Sequence, residues 1–298
     1  MKIIKRIGIA LGGLIGLVLV AVIILYAIAA IKISRTYDIT PESVAIPSEA
    51  ESIERGRYLA SISCNDCHGQ DLGGTVFFDD PSLGTIPASN LTNGNGGVGS
   101  TYTDADYVRA IRHGVGSDGK PLLIMPAVAF YNMSDEDLGA VIAHIRSQPP
   151  VDKSFEEKNL TPMAHILFAI GALGDLPADV IDHDGPRPPA PEQDVTPAYG
   201  EYLANILDCR ACHGESLSGG QGPEPGMPPG PNLTPGGELA SWSASDFINT
   251  IRTGVTPEGE ALNARYMPWP TFGKMTDDDL TAIFQYLQSL PAAESTTQ

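Results

Sequence analysis

The same five-residue pattern occurs twice in this chain, as CNDCH at residues 64–68 and as CRACH at residues 209–213. Both copies have the form C-x-x-C-H, which is the attachment signature of c-type haem. The two thiols bond to the haem vinyl groups, and the histidine that follows presents a ring nitrogen to the iron. All four cysteines lie in these two copies, so the sequence predicts two covalently bound haem c groups.

Other roles for paired cysteines fit the pattern less well. A thioredoxin-type redox motif belongs to a βαβ context, which this sequence does not indicate, and it does not explain a histidine after each pair. A zinc ribbon separates its two cysteine pairs by about 15 to 20 residues, whereas these pairs lie in different halves of the chain. Zinc binding and disulfide bonding stay open as alternatives.

An apolar stretch at residues 7–31 contains no charged residue and predicts a transmembrane helix. As a helix it would be about 37 Å long, enough to cross a hydrocarbon core of about 30 Å. The apolar stretch of a secretory signal peptide has only about 7 to 15 residues, which favours an uncleaved anchor. Ala27 and Ala29 form an A-x-A pattern, so cleavage stays open as an alternative.

The basic residues before this stretch favour a cytoplasmic N-terminus and place the rest of the chain across the membrane. In bacteria, c-type haem is attached on the outer side of the inner membrane, which agrees with this orientation. We therefore expect a single-pass protein of the bacterial inner membrane, with its soluble domains facing the periplasm or the cell exterior.

The part of the chain after residue 35 is strongly acidic. Five of the 18 Lys and Arg residues precede residue 36 and no acidic residue does, so the remainder has 13 basic and 36 acidic side chains. Such a charge disfavours nucleic acid as a partner, and it would steer a basic protein surface toward the chain. An acidic surface also keeps a protein soluble, which is the simpler explanation of the charge.

The residues around the two C-x-x-C-H patterns form an internal repeat. Five further segments recur in the same order: GRYL (56–59) and GEYL (200–203), SNLT (89–92) and PNLT (231–234), TDADYVRAIRHGV (103–115) and SASDFINTIRTGV (243–255), MPAVAF (125–130) and MPWPTF (267–272), MSDEDL (133–138) and MTDDDL (275–280). This arrangement indicates a tandem duplication of a module of about 100 residues, and hence two domains.

The repeat and the composition divide the chain into six predicted parts. These are a transmembrane anchor or signal-anchor (1–35), a stalk (36–50), a first domain (51–150), a linker (151–195), a second domain (196–291) and a tail (292–298). The Pro-rich and acidic residues 183–197 are typical of a stiff spacer. The apolar run within residues 162–177 is too short to span a bilayer, so we expect it to pack against a domain or at their junction.

Each module is predicted to be helical. Four segments begin with Ser or Thr and carry an acid three residues later, which resembles a capping box with Asp in place of Glu or Gln. These pairs are Thr103 and Asp106, Ser134 and Asp137, Ser243 and Asp246, and Thr276 and Asp279. Apolar residues follow at helical spacing and strand signals are weak, so we predict an all-α chain.

The ligand on the second face of each iron determines what the haem can do. A methionine sulfur there raises the reduction potential and leaves no open position for a substrate. Met125 and Met267 occupy matched positions, and each precedes a proline that biases its backbone toward an extended conformation. We therefore predict His68 and Met125 as the ligands of one iron, and His213 and Met267 as those of the other.

Other candidate ligands stay open. Met133 and Met275 also recur, but each precedes a helix N-cap and would pack as a hydrophobic staple. A histidine on the first haem is the other alternative, and the remaining histidines are His113 and His144 in the first module and His165 and His183 in the linker. The repeat also matches two asparagines and two arginines, which either form turns and helix caps or else bind haem propionates and order the methionine loop: Asn90, Asn232, Arg112 and Arg252.

Taken in order, these motifs resemble class I cytochrome c domains over residues 51–150 and 196–291. The resemblance implies an all-α fold around each haem. It assigns the ligands and attachment residues of the two haems as two sets: Cys64, Cys67, His68 and Met125 for the first, and Cys209, Cys212, His213 and Met267 for the second.

The tandem arrangement is similar to dihaem cytochrome c proteins found with membrane-bound dehydrogenases and respiratory complexes. Subunits of that kind often carry a third haem domain, and this sequence has no third C-x-x-C-H. We expect a membrane-tethered electron carrier, not an enzyme, that exchanges electrons with dehydrogenase, oxidase or reductase partners. The alternatives are a dihaem peroxidase or thiosulfate-oxidising enzyme, and a non-catalytic cytochrome subunit of a larger dehydrogenase complex.

Overall fold

A computed structural model describes residues 2–187, 189–222 and 227–296. The described part is mostly helical. Its α-helices and strands are α1 (Lys2–Ser34), α2 (Ala50–Ser63), α3 (Asn65–His68), β1 (Thr75–Asp80), β2 (Gly84–Ala88), α4 (Asp104–His113), α5 (Ala127–Phe130), α6 (Asp135–Ser147), β3 (Asn159–Leu160), α7 (Pro162–Ala169), α8 (Pro177–Val180), α9 (Pro197–Ile206), α10 (Cys209–His213), α11 (Ala244–Thr253), α12 (Trp269–Phe272) and α13 (Asp277–Ser289).

The strands correct the prediction of an all-α chain, which holds only in the coarser form of a mostly helical one. β1, β2 and β3 form an antiparallel sheet in that order. Val76 and Phe77 in β1 are of types that favour strands. Gly84 begins β2 with φ of 111°, and a Cβ there would lie 2.0 Å from the Asn159 carbonyl oxygen, so glycine permits the approach of β3.

In each module the first helix crosses the last helix at a glycine. A Cβ on Gly56 of α2 would lie 1.9 Å from the carbonyl oxygen of Ala140 in α6. A Cβ on Gly200 of α9 would lie 2.0 Å from the carbonyl oxygen of Ala282 in α13. Only the absence of a side chain allows the two backbones to come so close, so the repeated glycine fixes the same helix pair in both modules.

The predicted helix caps are confirmed. Thr103 and Ser243 form full capping boxes at the starts of α4 and α11. The other two predicted N-cap side chains, at the starts of α6 and α13, accept hydrogen bonds from the backbone N–H groups of Asp137 and Asp279. These two aspartates direct their carboxylates away from the cap and toward the opposite module.

Two matched tyrosines join the modules reciprocally. The Tyr202 hydroxyl donates to Asp137 at 2.7 Å and accepts from the backbone N–H of Ser134 at 3.3 Å. Tyr58 donates to Asp279 and accepts from the N–H of the residue that caps α13, at 3.1 Å. Each module therefore inserts the same side chain at the start of the last helix of the other, as in an interface with two-fold symmetry.

A single hydrophobic core extends through both modules, with Leu59 and Leu138 from the first and Leu203 and Leu280 from the second. One contact between the modules breaks their symmetry, because the hydroxyl of Thr271 in α12 donates to Asp66 in α3. The second module's α12 thus touches the short helix that carries the first C-x-x-C-H pattern.

α1 is long and apolar enough to cross a membrane, and almost all of its apolar stretch is exposed. A helix of this kind near the N-terminus is a candidate membrane anchor or a signal sequence. The apolar run at residues 162–177 contains α7 and packs on the end of α1, and Leu123 of the first module packs against the same cluster. Phe168 and Leu176 form a small second core there with Ala29 and Ile33.

Candidate haem-binding sites

Both C-x-x-C-H patterns lie on short helices, α3 and α10, that follow the first helix of each module. No described cysteine is in a disulfide bond. Each short helix ends at a glycine with positive φ, Gly69 at 80° and Gly214 at 78°. The left-handed backbone turns the chain away directly after the histidine.

The two histidines are oriented by the same hydrogen bond. Nδ1 of His68 lies 2.8 Å from the Ser89 carbonyl oxygen, and Nδ1 of His213 lies 2.8 Å from the Pro231 carbonyl oxygen. A carbonyl oxygen can only accept, so Nδ1 carries the proton in both rings and Nε2 keeps its lone pair for a metal. Burial lowers the pKa of both histidines, which favours the neutral form that binds iron.

The accepting carbonyls were not predicted from the sequence. Each belongs to the residue directly before a repeated asparagine, Asn90 or Asn232. The Asn90 amide donates to the Val151 carbonyl at 2.6 Å, and the Asn232 amide donates to the Ala293 carbonyl at 2.8 Å. Both asparagines also form turns with a threonine two residues later, so they hold the loop that orients the histidine.

A cavity in the first module brings the four predicted residues of that haem together. It is partly open to solvent, and Cys64, Cys67, His68 and Met125 all line it. Further lining side chains are largely apolar, and they include Leu91, Ile111, Phe130 and the alternative ligand Met133. Apolar walls with a few directed polar groups suit a flat, largely apolar cofactor.

The two predicted methionine ligands sit on the same backbone turn. The N–H of Ala127 donates to the Met125 carbonyl at 2.7 Å, and the N–H of Trp269 donates to the Met267 carbonyl at 2.7 Å. The intervening prolines have φ and ψ of −77° and 52°, and of −76° and 53°, which are the angles of an inverse γ-turn. In the second module, Cys209 and Met267 are partly buried against the core.

The alternative ligands have other contacts. Met133 and Met275 are each 1% exposed and lie in the hydrophobic core beside Leu138 and Leu280, as expected of a hydrophobic staple. His113 does not line the cavity. Its Nε2 lies 3.1 Å from Glu42, and its Nδ1 lies 3.0 Å from Nδ1 of a linker histidine.

The matched arginines hold the loop between each predicted methionine ligand and the last helix. Arg112 donates to the Met133 carbonyl at 2.7 Å and forms ion pairs with Glu42 and Asp135. Arg252 donates to a loop carbonyl before α13 and forms an ion pair with Asp277 at 2.6 Å. These contacts favour the role in ordering the methionine loop over that of binding propionates.

The donor set fits haem better than zinc. Within the described ranges no group of three or more His, Cys, Asp or Glu residues could hold a metal ion. Burial raises the pKa of Cys67 to about 11 and that of Cys209 to about 12, so both thiols are neutral. Thioether bonds to a haem need no thiolate in the finished protein.

Two buried groups in the second module also suit haem. The indole N–H groups of Trp242 and Trp269 are buried without a hydrogen-bond partner among the residues that the structure describes. Unpaired buried donors are uncommon in folded proteins. Haem carries two propionate groups, which are strong acceptors.

Comparison with known proteins identifies both modules. Residues 198–291 match the family model described as cytochrome c. Residues 51–145 match the model described as cytochrome c oxidase, cbb3-type, subunit III.

The whole chain has relatives among dehydrogenase subunits. It is 31% identical over 295 residues to the fructose dehydrogenase cytochrome subunit of Gluconobacter japonicus, covering 86% of this chain and 55% of that protein. It is 28% identical over 276 residues to the alcohol dehydrogenase (quinone) cytochrome c subunit of Gluconacetobacter polyoxogenes, covering 82% and 57%. It is 28% identical over 272 residues to the gluconate 2-dehydrogenase cytochrome c subunit of Pantoea cypripedii, covering 82% and 60%.

The chain thus spans a little over half the length of these relatives. The two family matches coincide with the two modules defined by the repeat. Each module of this chain therefore matches a cytochrome family model, and the chain is related to the cytochrome c subunits of dehydrogenases.

Proposed function

We propose that the chain is the electron-transferring cytochrome subunit of a dehydrogenase complex on the outer side of the bacterial inner membrane. It would carry two covalently bound haem c groups, one in each of the domains 51–150 and 196–291, joined by the linker 151–195. Of the functions that the sequence left open, this one is favoured by the names of the relatives, which are cytochrome subunits of dehydrogenases.

One observation carries the proposal, namely that both modules repeat the same pair of ligand arrangements. His68 and His213 each present a free Nε2, because Nδ1 is bound to a carbonyl oxygen at 2.8 Å. Met125 and Met267 each sit on the same γ-turn. His68 with Met125 and His213 with Met267 would hold the two haems, and a haem held by two such protein ligands would offer no open coordination position to a substrate.

The protein residues divide the work between attachment, ligation and shielding. Bound haem c supplies reversible one-electron exchange at its iron. Cys64 and Cys67 would form the thioether bonds of the first haem, and Cys209 and Cys212 would form those of the second. Apolar walls exclude water from the iron and set its potential together with the axial ligands.

The structure supports retention of α1 as an anchor. Ala29 is fully buried and Ile33 is 8% exposed, because both pack against Phe168 and Leu176 of the linker. Cleavage at the A-x-A pattern would remove Ala29 from this cluster and uncover apolar side chains. The mass of the mature protein, measured after extraction from membranes, distinguishes the retained from the cleaved form.

The axial ligands are tested by substituting them in the complete haem-loaded protein. We expect Met125→Ala and Met267→Ala each to abolish, at one haem only, the weak near-infrared band that Fe(III) shows when a methionine sulfur is bound. The low-spin electron paramagnetic resonance signal of that haem would change as well. Met133→Leu and Met275→Leu are the matched controls and should leave both spectra unchanged, since these residues pack in the core.

Unchanged spectra in Met125→Ala or Met267→Ala would contradict the ligand assignment. Association is tested separately, by purification of the chain from detergent-solubilised membranes. We expect a dehydrogenase catalytic subunit to co-purify, and a chain that purifies alone would contradict the subunit assignment without affecting the ligands.

A further inference from the structure

The linker contains a stretch without charge that exposes apolar side chains. No acidic or basic residue other than one histidine occurs between Lys158 and Asp175. Within this stretch Met163 is 52% exposed and Ile170 is 59% exposed. Neither the two modules nor α1 covers these side chains, although linkers exposed to water are usually polar.

The same stretch packs against the end of the candidate anchor helix. The imidazole ring of His165 in α7 lies against the ring of Tyr26, with centroids 4.6 Å apart. Phe168, 7% exposed, packs with Ala29 and Ile33. α7 therefore lies beside the last two turns of α1, and Tyr26 is about 9 Å below Lys32 along the helix axis.

A ring of charged and polar groups lies just beyond this contact. Lys32 forms ion pairs with Asp175 at 3.3 Å and Asp179 at 3.4 Å. Arg35 pairs with Asp179 at 2.9 Å, and Tyr37 donates a hydrogen bond to the same carboxylate at 2.6 Å. Lys32 is the first charged residue after the apolar stretch of α1, and Asp175 is the first after the apolar stretch of the linker. These two residues pair at the same height along the α1 axis.

Such a level is where a polar surface begins and a hydrocarbon layer ends. α7 has eight residues and is about 12 Å long, which is too short to span a bilayer. A short apolar helix at this depth, beside a spanning helix, fits the boundary between the headgroups and the acyl chains. Tyrosine at the position of Tyr26 is also typical of this boundary.

We infer that residues 162–174 form a second, non-spanning membrane contact, with Met163 and Ile170 inserted among the lipids of the outer leaflet beside α1. This inference rests on the proposed function, since it requires that α1 is a membrane anchor. It adds that the first module lies against the membrane surface and is not separated from it by a flexible stalk.

The contact between α1 and the linker extends to the cavity of the first module. Leu123 packs against the cluster formed by α1 and the linker, and its neighbour Leu122 lines the cavity. Both belong to the segment that leads into Met125. The first haem site therefore lies beside the membrane surface, and the second module lies farther along the chain.

The test measures the membrane depth of single nitroxide labels on the full haem-loaded chain in nanodiscs of phosphatidylethanolamine and phosphatidylglycerol. The labels are placed through Met163→Cys and Ile170→Cys, because the native cysteines are bonded to haem. Val180→Cys, 53% exposed and beyond the charged ring, is the control in water. Leu17→Cys, 70% exposed on α1, is the control in the hydrocarbon core. Each variant must keep the absorption spectrum of the parent protein.

We expect oxygen, which concentrates in lipid, to relax the labels at 163 and 170 several-fold more than a water-soluble Ni(II) chelate does. The label at 180 should show the reverse. If the labels at 163 and 170 behave like that at 180 while the label at 17 is in lipid, the inference is wrong and the anchor stands. Labels shielded from both reagents would indicate a protein partner there and also overturn it. A label at 17 that is open to Ni(II) would refute the anchor and this inference together.

Discussion

The two modules share the features of their candidate haem sites and differ where each meets the rest of the chain. A Cβ on Gly254, at the end of α11, would lie 2.4 Å from the ring of Trp269 in the same module. A Cβ on the matched Gly114 would lie 3.0 Å from Pro177 of the linker. The residue that matches Trp269 is Ala127, which is small and fully buried.

The space beside this matched glycine is therefore filled by Trp269 of the same module in the second module. In the first module it is filled by Pro177 of the linker helix α8. The matched arginines show the same difference. The side chain of Arg112 is 0% exposed, because Glu42 of the stalk covers it, whereas the side chain of Arg252 is 34% exposed. The comparison indicates that the first module depends on the stalk and linker for part of its core, and that the second module is closer to self-sufficient.

The largest difference is expected when the matched arginines are removed. Arg112→Leu leaves two carboxylates, of Glu42 and Asp135, without their shared cation, and breaking a buried ion pair costs about 3–5 kcal/mol. Arg252→Leu removes a more exposed ion pair, which is worth about 0–1 kcal/mol. Guanidinium unfolding followed through haem absorbance measures both free energies, and each variant is the control for the other. Equal losses would refute the view that the stalk completes the first module.

A smaller difference is expected at the tyrosines between the modules. Asp137 also accepts two hydrogen bonds from Arg55, at 2.9 and 2.8 Å, and the residue that matches Arg55 is a tyrosine. Tyr202→Phe therefore leaves Asp137 paired and should cost about 0.5–1.5 kcal/mol. Tyr58→Phe removes the hydroxyl donor of Asp279, which is only 7% exposed and has no arginine in the place of Arg55. This variant should lower the free energy of unfolding by about 1–3 kcal/mol.

Thermal unfolding of the two variants and of the double variant measures this asymmetry. The two phenylalanine variants keep the ring packing, so each controls for loss of apolar contact in the other. A greater loss for Tyr202→Phe would reverse the expected order and would mean that Arg55 does not compensate.

The smallest expected difference is in sensitivity to acid. Burial alone raises the pKa of Glu42, but hydrogen bonds from Arg112 and His113 outweigh it and lower that pKa from 4.5 to about 2. This stability is present above pH 4.5 and is lost as the pH falls toward about 2. Burial lowers the pKa of His113 below 6.5, so stability also falls as the pH drops below 6.5.

Both groups stabilise the first module, and the position that matches His113 is Thr253. Acid titration followed at each haem should therefore loosen the first module at a higher pH than the second. His113→Thr should remove the part of this difference above pH 4.5, and Glu42→Gln should remove the part below. Simultaneous transitions in the parent protein would contradict this expectation.

Much of the architecture could be predicted because its signals are local. The capping residues Thr103 and Ser243 and the helical spacing of the apolar residues indicate the helices without knowledge of the fold. The pairing of β3 with β2 could not be predicted, because it brings Asn159 beside Gly84, which lies far away in the sequence. The cap signals at Ser134 and Thr276 are local too, but the tyrosines that donate to Asp137 and Asp279 come from the opposite module.

The sequence also indicated the side chains of the candidate sites better than their supports. Cys64, Cys67, His68 and Met125 line one cavity as the motif predicted. The carbonyl oxygens of Ser89 and Pro231 could not be predicted, because every residue type has a backbone carbonyl. The packing of α7 on α1 could not be predicted either, because an apolar run indicates that a segment is buried but not which surface it packs against.

The bond between Thr271 and Asp66 has a consequence for how charge would travel along the molecule. It joins the segment after the proposed ligand Met267 to the turn between Cys64 and Cys67 of the first module, and the matched positions of the repeat are both alanine. With a haem in each candidate site, the distance between the two haems would then be set by the contacts between the modules and not by the proline-rich linker. Lengthening this linker should therefore leave the rate of electron exchange between the two haems unchanged.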